Sequence, residues 1–443
     1  MQNSVFSRQL VESIVDELKI TDLAQATIGQ VVLLASALEQ RTGIPFIRMD
    51  QGVPGLSPNQ VGIAAEKAAL DTGIAAIYPA AEGVPELKRE TSRFVKAFLN
   101  VDITPEACIP TTGSVAGSFG SFIVTSQCSP GKDTVLFIDP GFPIQKSQLK
   151  ILGVKYRQFD IFNYRGAALR DKLESFLKEG NISAIIYSNP NNPAWICLEE
   201  EELQIIGELA TQYDTIVLED LAYFAMDFRR DLSRPFEPPF QATVARYTDN
   251  YMLMLSASKI FSYAGQRMAV VCISDKLFNR RYPALAERYN GAGLFGNTFT
   301  NAIMYMITSG ASHSVQFGLA AMYKAACDGQ IDFVADTMEY GRRAEKMKRL
   351  FCENGFHVVY DKDVEQPIGD GFFFTIGYPG MTSGELMREL LYYGISSITL
   401  NTTGSLQEGI RACTSRMTDE LFDILEQRLK AFKTDHRCNL KTE

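Results

Sequence analysis

The 443-residue sequence predicts an α/β protein: a large domain with a mostly parallel central sheet flanked by helices, plus a smaller α+β domain built from the two chain ends. Two observations predict this. Through the middle of the chain one grammar recurs: a short β-branched or apolar run, a polar turn, then a longer helix-compatible segment, the alternation that builds parallel sheets. After about Ser309 it gives way to long helices and mixed elements, so a second domain is expected to begin there. The expected bounds are 60–309 for the large domain and 1–59 with 310–443 for the small one, although periodicity alone does not join the N-terminal helices to the C-terminal region.

Strands are expected at 134–138, 184–187, 215–218, 251–255 and 268–273, with a helix over 199–213 completing a βαβ unit between the second and third. The polar motifs described below fall mostly just after these strands, where open α/β sheets gather ligands. Toward the C-terminus, Leu421, Ile424, Leu425, Leu429 and Phe432 recur at helical spacing and should form a packing stripe.

Composition narrows the function. Hydrophobic residues make up 46% and charged residues 21%, an ordinary soluble balance, and the net charge of -9 without a basic run argues against a nucleic-acid partner. Eight cysteines spread from Cys108 to Cys438 contain no CxxC pair and read as buried thiols in a reducing compartment. The N-terminus lacks the uninterrupted apolar core of a secretory signal, and no stretch approaches the ~20 apolar residues needed to cross a bilayer. The expectation is a cytoplasmic protein with no membrane association. His313, His357 and His436 form no Cys/His cluster at metal spacing, so no metal site is expected. The acidic run 199–202 reads as a solvated helix start rather than paired acid/base groups.

The most informative segment runs from Ser256 to Arg267, directly after an expected buried strand. An isolated lysine is usually a surface residue. Here Lys259 is an amine suited to a Schiff base, while Ser256, Ser258 and Arg267 can contact a phosphate. The segment Thr112-Gly113-Ser114-Val115 precedes a small-residue helical stretch, and amides at a helix start attract phosphate, which suits Gly113, Ser114 and Val115 to a phosphate cup. Small residues also permit close helix packing, and this segment lacks the GxGxxG spacing of a dinucleotide site.

Taken with Lys259 and Arg267, eight positions apart, the sequence resembles the class I/II aminotransferases of the pyridoxal 5'-phosphate-dependent fold type I, aspartate aminotransferase-like enzymes. Leu218-Glu219-Asp220-Leu221-Ala222-Tyr223 matches the family's D-x-A-Y pattern; the resemblance implies that Asp220 binds the pyridine nitrogen and Tyr223 the ring hydroxyl oxygen. Asn189-Pro190-Asn191-Asn192-Pro193-Ala194-Trp195 is similar to N-P-x-N-P-T-G and selects Asn192 as a second contact to the ring oxygen and to substrate. Ala194 and Trp195 depart from the usual Thr-Gly, and packing is the favoured role for Trp195. Tyr263 is bulkier than the family's usual residue.

By the same resemblance Phe142, in Asp139-Pro140-Gly141-Phe142-Pro143, stacks on the cofactor, and Tyr78, in Ile77-Tyr78-Pro79, reaches the phosphate of a neighbouring subunit, implying a homodimer with shared active sites. Arg411, in Glu408-Gly409-Ile410-Arg411, grips the substrate carboxylate, and Gly52 marks a substrate-side turn. The implied activity is amino transfer between an amino acid and a 2-oxo acid, with Lys259, Asp220 and Tyr223 catalytic. A carbon–sulfur β-lyase is the alternative, because the same site stabilises carbanions that expel a leaving group. A regulator on the same fold would carry a DNA-binding extension, which is not expected here.

Overall fold

The computed structural model describes residues 3–436; Cys438 and the last residues of the expected small domain lie outside them. The chain packs as two units, Leu56–Asn191 with Cys197–Thr337, and Met1–Gly55 with Asn192–Ile196 and Met338–Glu443.

The larger unit is organised by a seven-stranded sheet in the order Cys108–Thr111, Ala269–Ile273, Tyr251–Ser256, Ile216–Leu221, Ile182–Ser188, Thr134–Asp139, Lys155–Asp160. From Tyr251–Ser256 to Lys155–Asp160 every pairing is parallel. Ala269–Ile273 instead runs antiparallel to both its neighbours. The five expected strands all form, and each is buried at every residue, which is why they read as continuous apolar runs. The two strands not expected from the sequence are the sheet's edges. Lys155–Asp160 is polar and largely accessible, and Cys108–Thr111 contains Pro110, which an edge strand tolerates because one of its sides needs no ladder bond.

The expected helix after the second predicted strand spans Glu200–Gln212. Its acidic start is not uniformly solvated, in contrast to the sequence expectation. Glu202 is fully buried, accepting from Arg165 Nε at 2.8 Å and Nη2 at 3.0 Å, from the Gly166 amide at 2.8 Å and from the Glu199 amide at 2.9 Å. A buried carboxylate is tolerable only with such partners, and here they tie the loop at Arg165 to the helix start.

The break between units also differs from the expected 309/310 and lies at Thr337/Met338. The helix His313–Cys327 packs against Gln60–Asp71 and Pro85–Leu99 in the larger unit. Its Tyr323 stacks on Phe94 with ring centroids 4.3 Å apart, and Phe94 also meets Phe98, Phe224 and Phe333 at 4.7, 5.3 and 5.7 Å. Aromatic burial holds this stretch to the helix Pro85–Leu99. The first break falls at Gly55/Leu56, a few residues before the expected 59/60.

In the smaller unit, Ile398–Thr399, Ile410–Cys413, Phe373–Gly377 and His357–Val358 form an antiparallel sheet. The chain ends meet in this unit. Ile47–Arg48 pairs in parallel with Ile395–Ser396, the Phe6 amide donates to the Tyr392 carbonyl at 2.9 Å, and Arg8 pairs with Glu389 at 3.0 Å. The C-terminal helix Asp419–Asp435 buries Phe422, Leu425, Arg428, Leu429 and Phe432. The expected stripe is therefore rotated slightly, because Leu421 and Ile424 are only half-buried. No helix among the described residues is long and apolar enough to cross a membrane.

Phe94→Ala should open a cavity among four aromatic neighbours. The expected cost is about 3–5 kcal/mol, read as a lowered urea midpoint; a midpoint unchanged from the wild type would contradict this packing.

Candidate active site

In the larger unit the strand directions set the geometry. Parallel strands deliver their carboxyl ends to one rim, so the residues after Ile109-Pro110-Thr111, Asp139, Leu221 and Ser256 are gathered there. Because Ala269–Ile273 is antiparallel, it begins where its neighbours end, and the register pairs Ala269 with both Thr111 and Ser256. That reversal brings Arg267 beside Gly113. Gly113 adopts φ +75°, and a Cβ there would lie 2.5 Å from Arg267 Nη2, so glycine is required both by conformation and by space.

Ser114 follows in the first turn of the 15-residue helix Gly113–Gln127. Its Oγ is buried with no hydrogen-bond partner among the described residues. Unsatisfied helix-start amides, an unpartnered hydroxyl and a guanidinium suit a phosphate. Val115 leaves its side chain partly exposed, while its carbonyl accepts from Gln148 Nε2 at 2.7 Å, fixing the turn. Ser256 caps the short helix Ala257–Ile260, its Oγ accepting from the Ser258 amide at 3.2 Å. The cap sets the chain direction through half-buried Ser258 and Lys259.

Asp220 lies near the end of Ile216–Leu221 and is buried. Its carboxylate accepts from Gln145 Nε2 at 3.0 Å and from the Ala222 amide at 3.1 Å. Among the described residues no cation pairs with it, and burial pushes its carboxyl up to about 6. A cationic N–H donor brought against it would favour the ionised acid. Tyr223 is buried just beyond. Phe142 is half-buried at the start of Pro143–Leu152, and the turn before it is pinned by a 2.5 Å pair between buried Asp139 and Lys146. Tyr78 stands apart in character, 89% exposed, beside Ile77 at 61%.

The smaller unit holds the remaining three expected residues. Arg411, on Ile410–Cys413, is buried, donating from Nη1 to Asn192 Oδ1 at 3.1 Å and from Nη2 to the Asp50 carbonyl at 2.7 Å. Its guanidinium lies 4.5 Å above the Phe373 ring. Asp50 is itself held by a bidentate pair with Arg48 at 2.9 Å and by Ser396 at 2.6 Å. Half-buried Gly52 follows two residues on. A planar cation on an aromatic platform with two oxygen acceptors fits recognition of a carboxylate.

Two residues escaped the sequence reading. Gln145 carried a usable signal, since it sits three residues after Phe142 and therefore one helical turn along. Phe373 carried none, because the run Phe372-Phe373-Phe374 reads as ordinary core.

The chain is similar to known aminotransferases. The chain is 33% identical over 293 residues to a glutamate-pyruvate aminotransferase of Escherichia coli, covering 64% of this chain and 62% of that one. It is 24% identical to an aspartate aminotransferase of Sulfolobus acidocaldarius, covering 60% and 66%. These alignments span less than two thirds of the relatives' own lengths. In structure it resembles the alanine aminotransferase of Pyrococcus furiosus, with a TM-score of 0.73 and 19% identity over 95% of this chain and 99% of that one. The aspartate aminotransferase of Thermus thermophilus with maleate gives 0.71 and 16% over 92% and 96%. At such identities the likeness is one of fold. The family model described as aminotransferase class I and II matches residues 45–429, a span that takes in every site residue from Gly52 to Arg411, and the chain belongs to that family.

Proposed function

We propose that this protein is a cytoplasmic, pyridoxal 5'-phosphate-dependent aminotransferase that moves an amino group between an amino acid and a 2-oxo acid. The observation that carries the reading is Asp220, a buried acid held among the described residues only by neutral donors, one strand away from the turn that bears Lys259. Lys259 would hold the cofactor's aldehyde carbon, Asp220 its ring nitrogen, Tyr223 and Asn192 its ring oxygen, and Phe142 a ring face. Gly113, Ser114, Val115, Ser256, Ser258 and Arg267 would receive its phosphate. When bound, the cofactor supplies a carbon that condenses with amines and a ring that accepts the electron pair left by proton removal.

The chain's own groups do the remaining work. As a free amine, Lys259 would take the substrate α-proton and deliver it to the cofactor's former aldehyde carbon. Asp220 would keep a proton on the ring nitrogen through its negative charge in a water-poor site. Arg411 binds the substrate carboxylate, oriented by Asn192 and the Asp50 carbonyl. Tyr78 supports a homodimer with shared sites, since an aromatic ring left 89% exposed on a single chain is suited to cover by a second copy. The relatives are named for aspartate, alanine and glutamate–pyruvate transfer, and a panel of amino donors with 2-oxoglutarate and pyruvate identifies the substrates here.

Purified wild type with the cofactor should show a lysine-dependent absorbance band and amino transfer, both abolished in Lys259→Ala. Unchanged transfer in that variant would falsify the reading, and pyruvate with ammonia released from cystathionine without an oxo acid would favour the β-lyase instead. Arg411→Lys should lose about one charged hydrogen bond, roughly 1.5–3 kcal/mol, seen mainly as a raised KM for the carboxylate substrate; an unaltered KM would remove Arg411 from the carboxylate site. Without cofactor, ionised Asp220 costs stability above its folded value of about 6, and the cost fades as pH falls toward the ordinary carboxyl value. Asp220→Asn should therefore be more stable than wild type at high pH by on the order of 3 kcal/mol and level with it near pH ~4. Parallel stability profiles for the two proteins would count against the buried, unpaired acid.

A further inference from the structure

Trp195 occupies a backbone conformation that glycine favours, with φ +63°, yet it is fully buried. A large L-residue persists in the left-handed region only where its surroundings over-determine it. The surroundings here are visible. The indole lies over Gly371, where a Cβ would come within 2.0 Å of Trp195 Cε2 and Cζ2, so the ring requires a glycine beneath it. Gly371 is anchored in turn, its carbonyl accepting from Thr414 Oγ1 at 2.9 Å. The indole meets Phe373 edge to face, with centroids 6.3 Å apart and planes at 68°. Phe373 is the same ring that carries the Arg411 guanidinium at 4.5 Å. Asn192, which accepts from Arg411, lies three residues before Trp195 on the same turn.

We infer that Trp195 is a positioning residue for carboxylate binding: by bracing Phe373 and the Asn192 turn, it holds the Arg411 guanidinium in the orientation that receives a substrate carboxylate. The inference rests on the proposed role of Arg411. Among the restraints on that cation are a ring below it and an amide oxygen beside it, and the indole packs on the first and belongs to the turn that carries the second. Without the indole, the Phe373 ring gains room to tilt and the turn loses its buried anchor. The guanidinium then samples orientations in which its paired N–H groups no longer face one carboxylate, which weakens binding without touching the proton-transfer groups. Phenylalanine retains an aromatic body on the same side and should restore most of the effect.

The test uses isobutyrate, a carboxylate with no amine to react, titrated calorimetrically into the holoenzyme, alongside kinetics with the best donor of the panel. Trp195→Ala should weaken isobutyrate binding and raise KM by about tenfold, with kcat and the cofactor absorbance near wild type, whereas Trp195→Phe should stay within about threefold. Wild-type affinity and KM in a folded Trp195→Ala protein, or a fall in kcat at constant KM, would overturn the inference. Should that variant fail to fold, the wild type still decides, because Trp195 is the chain's single tryptophan. Its emission should change saturably with isobutyrate and not do so in Arg411→Lys; a flat response in both overturns the coupling. Failure of the aminotransferase reading is distinguishable, since it appears as a missing lysine-dependent absorbance band whatever the titration shows.

Discussion

The parallel hydrogen-bonded ladder that joins Thr134–Asp139, Ile182–Ser188, Ile216–Leu221 and Tyr251–Ser256 makes the rest of the larger unit possible. Parallel pairing obliges every strand to end on the same side and every crossover to cover a face of the sheet. Segments distant in sequence, from Thr112 to Lys259, therefore share one rim without any of them being close in the chain. The reversed strand Ala269–Ile273 extends this logic, since only a chain arriving from the opposite direction presents the residues leading into the strand, Arg267 among them, to the same rim.

Buried carboxylates in this protein divide by what meets them. Glu202 takes a guanidinium and two backbone amides, and Asp50 takes Arg48 bidentately, so both are tied into the fold. Among the described residues, Asp220 has neutral donors only. Its neighbour Glu219 is also buried and pushed up to about 7 by burial, accepting from Thr243 Oγ1 and the Val244 amide. Adjacent strand residues point to opposite faces, so Glu219 and Asp220 cannot both address one ligand. A perturbed acid thus marks a site only together with its direction, and the D-x-A-Y match singles out Asp220.

The smaller unit follows a different principle. Arg411 sits in the middle strand of a short antiparallel sheet, where burial on both sides would be prohibitive for a bare cation. The Asp50 carbonyl, the Asn192 amide oxygen and the Phe373 face offset that cost. Each of these three partners comes from a separate part of the chain.

How much of this was legible in the chain follows from the range of the forces involved. Local alternation and apolar runs determined the five central strands, because burial on both faces writes itself into every residue of a strand; motif order pointed to the family and to the lysine, aspartate, tyrosine and arginine proposed for its site. The edge strands Cys108–Thr111 and Lys155–Asp160 left no such mark, since edges are polar or proline-bearing by necessity. Tertiary structure alone decided that His313–Cys327 packs with the larger unit, through Tyr323 on Phe94, and that Glu202 is buried by Arg165. It also decided that Phe373 is a platform rather than plain core, and that Trp195 stands where it does because Gly371 leaves room for it. These are contacts between residues far apart in sequence, and no local pattern records which distant partner will arrive.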